Sequence, residues 1–196
     1  MHLANPFILF CIFTFAGFSH VSYASGTMSD DEVKNVTRVD VTNEEQRRRL
    51  SIAAGLLADY EIAAKKLIAS LEYNSIKSSD INKYAKELLS LSEDVFKSAR
   101  FRLPQCDEYL AKTLVLKKNL QKISHEKLEK DYHHDGALPK APGECYHTKD
   151  LFVHPATVIV LTRDDPALTQ ETKTSINAEI TEVLAHTELV RQLVIY

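Results

Sequence analysis

The chain has 196 residues, enough for one domain, and its 24 basic and 27 acidic residues give a net charge of −3. This balance excludes a strong overall attraction to nucleic acid or to an anionic membrane surface, so no nucleic-acid partner is expected. Only five glycines and no tryptophan are present. A composition rich in Leu, Ala, Lys and Glu favours helices over a turn-rich β fold.

Residues 1–24 have the pattern of a secretory signal peptide. An apolar run over 6–18 is followed by small residues that fit a cleavage site after Ala24. The run is shorter than the roughly 20 apolar residues of a membrane span. An uncleaved N-terminal anchor is the alternative, because no Lys or Arg precedes the run. We therefore predict an exported protein, periplasmic or secreted, with no stable membrane span after cleavage.

Residues 25–42 are polar and acidic and contain few large apolar side chains. Such a segment buries too little surface to offset the entropy of ordering it, so the sequence predicts a flexible leader. The helical apolar spacing that begins at residue 43 predicts a single helical-bundle domain over 43–196.

Four amphipathic helices are indicated by apolar residues that recur every three or four positions. Their predicted ranges are 43–73, 80–101, 104–134 and about 169–193. A capping-box pattern starts the first helix at Thr42, and Pro104 suits the first turn of the third.

The segment 135–168 interrupts the helical pattern. Its first part, 136–145, contains two prolines and two glycines and cannot be helical throughout. Residues 150–162 are apolar and β-branched, which is compatible with a strand or with a buried short helix. Because no other segment has strand character, we predict a short helix that begins near Pro155. These elements together predict an all-α, antiparallel four-helix bundle with a long irregular crossover before the last helix.

Cys106 and Cys145 are the cysteines that remain after removal of the signal peptide. Export to an oxidising compartment favours a disulfide between them, which would attach the crossover to the start of the third helix. The alternative is a free Cys145 that ligates a metal beside His147.

Histidines supply the candidate chemistry of this chain. No Walker A, GxSxG, HExxH, Rossmann, CxxC or CxxCH pattern is present. His133 and His134 end the third predicted helix, and His147 and His154 lie in the crossover. Imidazole is a ligand for Zn, Cu, Ni and haem iron, so these four histidines are the predicted metal site, with Asp131 or Asp135 as additional ligands nearby.

Each histidine also has a structural interpretation. His133 and His134 suit the negative end of a helix dipole, His154 fits a core position bonded to a backbone carbonyl, and His186 fits the boundary of the last helix. His125 lies eight residues before His133 and is predicted to face the same groove.

Two functional hypotheses follow. The first is an exported helical-bundle protein that binds a transition metal (Zn, Cu or Ni) or haem through the histidine cluster. The second is a structural or interaction subunit of a cell-envelope complex that binds no metal and contacts an envelope protein partner. An enzyme is less expected, because no nucleophile is evident in the sequence.

Overall fold

The computed structural model describes residues 28–196, and the predicted signal peptide, 1–24, lies outside them. Within this range the chain is all-helical and has no strand, which confirms the all-α part of the prediction. No helix among residues 28–196 is long and apolar enough to cross a membrane.

Seven α-helices occur in the described part of the chain. They are α1 (Asp30–Lys34), α2 (Glu44–Ser70), α3 (Ser78–Arg102), α4 (Asp107–Thr113), α5 (His125–Leu128), α6 (Glu144–Asp164) and α7 (Gln170–Val194). The long helices α2, α3 and α7 confirm the ranges predicted from apolar spacing to within a few residues. The N-cap of α2 is Asn43, one residue after the predicted Thr42. The Asn43 side-chain oxygen accepts the hydrogen bond from the Gln46 backbone N–H at 2.9 Å.

The core lies between the four long helices. Helix α2 packs against α3 and α7, and α6 packs against α3 and α7. Fully buried apolar side chains from each helix meet there, among them Leu57, Leu88, Val158 and Ile180. Burial of such side chains is the main favourable contribution to folding.

The described part of the predicted flexible leader, residues 28–42, contacts the helices instead of extending from them. Ser29 caps α1, and Val33 is buried. Arg38 donates to the Leu193 carbonyl at the end of α7 at 3.0 Å, and Arg102 donates to the Val39 carbonyl. The first contact satisfies a carbonyl in the last turn of α7 that has no partner within the helix, and the second joins Val39 to the end of α3.

The predicted single helix over 104–134 is wrong. A 3-10 turn precedes α4, a second follows it over Leu114–Asn119, and a π-helical turn over Glu129–His133 follows α5. Helical structure resumes after Ser124, whose hydroxyl accepts a hydrogen bond from the Lys127 backbone N–H and caps α5. Arg163 donates to the Leu120 and Ile123 carbonyls, so the break has tertiary partners for its backbone.

The predicted long irregular crossover is also wrong, because α6 occupies most of it. Proline inside a helix removes the bond to the carbonyl four residues earlier, which here is Leu151. The buried Tyr60 hydroxyl of α2 donates to that carbonyl at 2.9 Å. Helix α6 therefore passes through Pro155 instead of beginning there, and the irregular parts of the predicted 135–168 crossover are residues 135–143 and 165–168.

The sulfur atoms of Cys106 and Cys145 lie 2.06 Å apart, at disulfide distance. Cys106 precedes α4 and Cys145 lies in the first turn of α6, so the pair joins the beginnings of these two helices. The pairing leaves no free thiolate on Cys145 to ligate a metal.

We expect the double variant Cys106→Ser/Cys145→Ser to lose roughly 3–4 kcal/mol of unfolding free energy, because the bond closes a 39-residue loop. Urea unfolding under oxidising conditions measures this difference. Dithiothreitol should destabilise the unsubstituted protein and leave the double variant unchanged, and an equal response of both would contradict the assignment.

A second prediction concerns the connection between α6 and α7. Asp165 accepts hydrogen bonds from the Thr172 and Thr169 side chains at 2.6 and 2.7 Å, which lowers its pKa to about 2. A lowered folded-state pKa adds stability above the ordinary value of 3.8, and this contribution disappears as the pH falls toward 2. We therefore expect Asp165→Asn to be less stable than the unsubstituted protein at neutral pH, with the two urea midpoints converging between about pH 4 and pH 2. A difference in urea midpoint that stays constant with pH would contradict an origin in the ionised Asp165 carboxylate.

Candidate metal centre

Helix α6 presents three potential metal ligands on one face. His147, Asp150 and His154 are separated by three and four residues, which places them one above the other on a helix. Their exposed fractions are 5%, 6% and 0%. All residues from His147 to Val160 are buried, so these polar groups have no direct access to solvent and depend on partners from other elements.

The last helix completes the first group of ligands. His186 of α7 lies with its Nδ1 3.2 Å from Asp150 Oδ2. The His147 and His186 rings meet edge to face, with centroids 4.8 Å apart. One ligand atom from each of His147, Asp150 and His186 lies within 4.8 Å of the other two, a spacing short enough for one metal ion. We call these three residues the inner triad.

The π-helical turn before α6 completes a second group. His133 lies in this turn, and its ring meets that of His154 edge to face with centroids 4.9 Å apart. Ligand atoms of His133, Asp150 and His154 also lie within 4.8 Å of one another. We call these residues the outer triad, because His133 is only partly buried and stacks on the exposed His134. A π-helical turn is a common feature of functional sites.

Two carboxylates orient the rings of the outer triad. Glu129 Oε2 lies 2.7 Å from His133 Nδ1, and Glu179 Oε2 of α7 lies 2.8 Å from His154 Nδ1. This arrangement leaves Nε2 of each ring as the nitrogen that can bind a metal. His154 Nε2 is buried and has no hydrogen-bond partner among residues 28–196. Histidine ligands of metals usually have their second nitrogen bonded to a carboxylate or a carbonyl in this way.

The buried Lys149 lies beside the carboxylate of Asp150, the residue that belongs to both triads. Lys149 Nζ is 3.1 Å from Asp150 Oδ1, 3.2 Å from Asp135 Oδ1 and 2.8 Å from the His133 carbonyl. Tyr109 donates to the same Asp135 oxygen at 2.6 Å. The lysine therefore connects α6 to the turn that carries His133.

The electrostatics of the cluster favour ionised carboxylates. Burial acts to raise the pKa of Asp150, but the close approach of the His186 ring and the charges of Lys149 and His154 outweigh it and hold that pKa well below its usual range. The hydrogen bond to Glu129 raises the pKa of His133 against the effect of burial.

A formal charge count shows what the cluster requires. Four carboxylates take part in it, and Lys149 is their one ammonium group; the carboxylates belong to Glu129, Asp135, Asp150 and Glu179. The group therefore carries a net charge of −3 when the imidazoles are neutral. Asp150 is buried and the other three carboxylates are partly buried. Charge that is largely removed from water in this way needs compensation, which protonated imidazoles or bound metal ions provide.

The structure brings three of the four predicted histidines, His133, His147 and His154, into one cluster and places His134 at its exposed end. Asp131 instead pairs with Lys127.

Sequence reasoning missed the groups that join the histidines. Asp150 and His186 belong to the triads, and Glu129 and Glu179 orient their rings. The His147–Asp150–His154 spacing was visible in the sequence, but it becomes a signal only when 144–164 is recognised as helix. His125 lies on the other side of Glu129, with Nε2 3.6 Å from Oε1.

Two cavities of about 440 and 310 Å³ are present elsewhere on the surface, and no histidine lines either of them. No protein-family model, curated protein or solved structure matches this chain.

The carboxylate contact predicts the tautomer of His154. In the neutral ring of His154 we expect the proton on Nδ1 and a bare Nε2, because Glu179 accepts from Nδ1. Nitrogen chemical shifts of the metal-free protein report this directly. Glu179→Ala should lose the preference, whereas Glu179→Gln, which keeps an acceptor oxygen, should retain most of it. A proton on Nε2 in the unsubstituted protein would contradict the orientation described here.

Proposed function

We propose that this chain is an exported helical protein that binds a transition metal ion at the histidine and carboxylate cluster between α6, α7 and the 129–133 turn. The observation that carries the proposal is the buried His154 ring, whose Nδ1 is held by Glu179 and whose Nε2 has no hydrogen-bond partner in the described chain. That nitrogen lies in a triad with the required spacing for an ion. The apolar run and small residues before Ala24, with the cysteine pair at disulfide distance, support export.

The proposed framework of the site is the antiparallel four-helix bundle. Each of the four long helices makes its main contacts with two of the others, so that these contacts close into a ring, and α3 and α7 also meet across it. Short connections, 71–77 between α2 and α3 and 165–169 between α6 and α7, favour antiparallel neighbours. Metal sites in such bundles are built from side chains that face inward from adjacent helices.

A small ion fits the cluster better than haem does. Haem needs a flat cavity between its axial ligands, but the His133 and His154 rings touch edge to face and fill the space between them. Imidazole nitrogens with one carboxylate oxygen are a donor set suited to Zn, Cu or Ni.

A second candidate function is a metal-free structural or interaction subunit of the cell envelope. The observation in its favour is Lys149, a buried cation that already neutralises part of the charge of Asp150 and Asp135. Protonated imidazoles would supply the remaining compensation without an ion.

The deciding experiment measures metal uptake by the processed chain. We expect the unsubstituted protein to retain Zn(II) or Cu(II) in stoichiometric amount after dialysis, and His154→Gln to lose affinity by about 10-fold to 100-fold or more, because it removes an oriented nitrogen ligand. Elemental analysis and competition titration with a chelator give both quantities.

Thr187→Val is the matched control, since Thr187 is a buried neighbour of His186 whose hydroxyl bonds only within α7. This variant should bind like the unsubstituted protein. Absence of uptake by a folded unsubstituted protein would overturn the proposal and favour the metal-free subunit.

A further inference from the structure

We propose that the cluster is a dinuclear centre, in which the Asp150 carboxylate bridges one metal ion in the inner triad and a second in the outer triad. This inference rests on the proposed function and adds the number of ions and the residue that joins them.

The ligand geometry supports two sites. The inner and outer triads share no residue except Asp150, and each contributes two imidazoles of its own. The four rings follow one another in the cluster, with centroids of His147 and His186 at 4.8 Å, His186 and His154 at 6.0 Å, and His154 and His133 at 4.9 Å. Among the described residues no group with ligand atoms within 4.8 Å of one another holds both His147 and His133, so a single ion, which binds ligands at about 2 Å, does not reach both.

The position of Asp150 suits a bridge. A carboxylate has two oxygens and about four lone-pair directions, so it can bind one ion on each side. Oδ2 faces His186 of the inner triad at 3.2 Å. Carboxylate-bridged ions in known two-metal sites lie about 3.5–4 Å apart, which is compatible with triads whose own ligand atoms all lie within 4.8 Å.

Lys149 does not prevent a bridge. Its ammonium group contacts Asp150 Oδ1, but it also has the His133 carbonyl and Asp135 Oδ1 as acceptors at 2.8 and 3.2 Å. A metal ion that takes its place at Asp150 therefore leaves the ammonium with two partners. The cost of displacing a buried cation is smallest when its other hydrogen bonds are retained.

The two sites differ in their access to solvent. The inner triad is buried, with exposed fractions of 5%, 6% and 6%, whereas the outer triad includes the half-buried His133 beside the exposed His134. The outer ion is therefore the one that exchanges faster with a chelator.

The test uses the processed chain with its disulfide intact and Zn(II) alone as the probe. Equilibrium dialysis with elemental analysis should give two Zn(II) per chain for the unsubstituted protein and for Thr187→Val. His147→Gln and His133→Gln should each retain one ion, and Asp150→Asn should weaken both. His133→Gln alters a partly exposed residue and remains informative if a buried variant fails to fold.

Cu(II) provides a second readout. The loaded unsubstituted protein should show a spin-coupled paramagnetic resonance spectrum, whereas His147→Gln should show the spectrum of one isolated ion. One Zn(II) per chain in the unsubstituted protein, or two ions without spin coupling, would overturn the bridge while the proposed function stands. Uptake of no metal would overturn the proposed function itself.

Discussion

The burial of α6 from His147 to Val160 is the constraint on which the rest of the structure depends. A helix buried over this range depends on internal partners for most of its polar side chains and for the carbonyl that its proline leaves unbonded. Tyr60 of α2 supplies the donor for Leu151, and α7 brings His186 and Glu179 to the polar face of α6. The turn that carries His133 receives Lys149. The same contacts that stabilise the helix therefore also assemble the histidine cluster, and fold and site have one physical origin.

The ranges of the helices that have one face exposed to solvent were predictable from the sequence, whereas the range of α6 was not. Helices α2, α3 and α7 each alternate a buried stripe with charged residues, so their ranges follow from apolar spacing. Helix α6 is buried on every face from His147 to Val160 and has no such stripe to detect. Pro155 favoured the interpretation that a helix starts there. The Tyr60 hydroxyl, which replaces the backbone hydrogen bond that Leu151 loses to the proline, is 91 positions away from Leu151 in the sequence. The breaks in the predicted helix over 104–134 were missed because the apolar spacing of this stretch continues across them, so it resembles one uninterrupted helix.

The candidate site was accordingly only partly predictable. Clustering in the sequence identified His133, His147 and His154, and cysteine counting identified the Cys106–Cys145 pair. Asp150 lies in the predicted crossover but was not selected as a ligand, and His186 was interpreted as a residue at the boundary of the last helix. Their proximity depends on the register between α6 and α7, and a single sequence contains no information on that register. Glu129 and Glu179 were missed likewise, since an acidic residue on a helix usually faces solvent.

The spacing of the site residues constrains where the chain tolerates insertions. Each added residue rotates everything after it by about 100° around a helix axis. One insertion between His147 and His154 would turn one histidine away from Asp150, and one between Glu179 and His186 would separate the residues that contact α6. Length changes in the irregular 134–143 stretch or the 165–169 connection leave both registers intact. Homologous chains that keep the site should therefore differ in length at these two connections and be invariant in spacing within the helices.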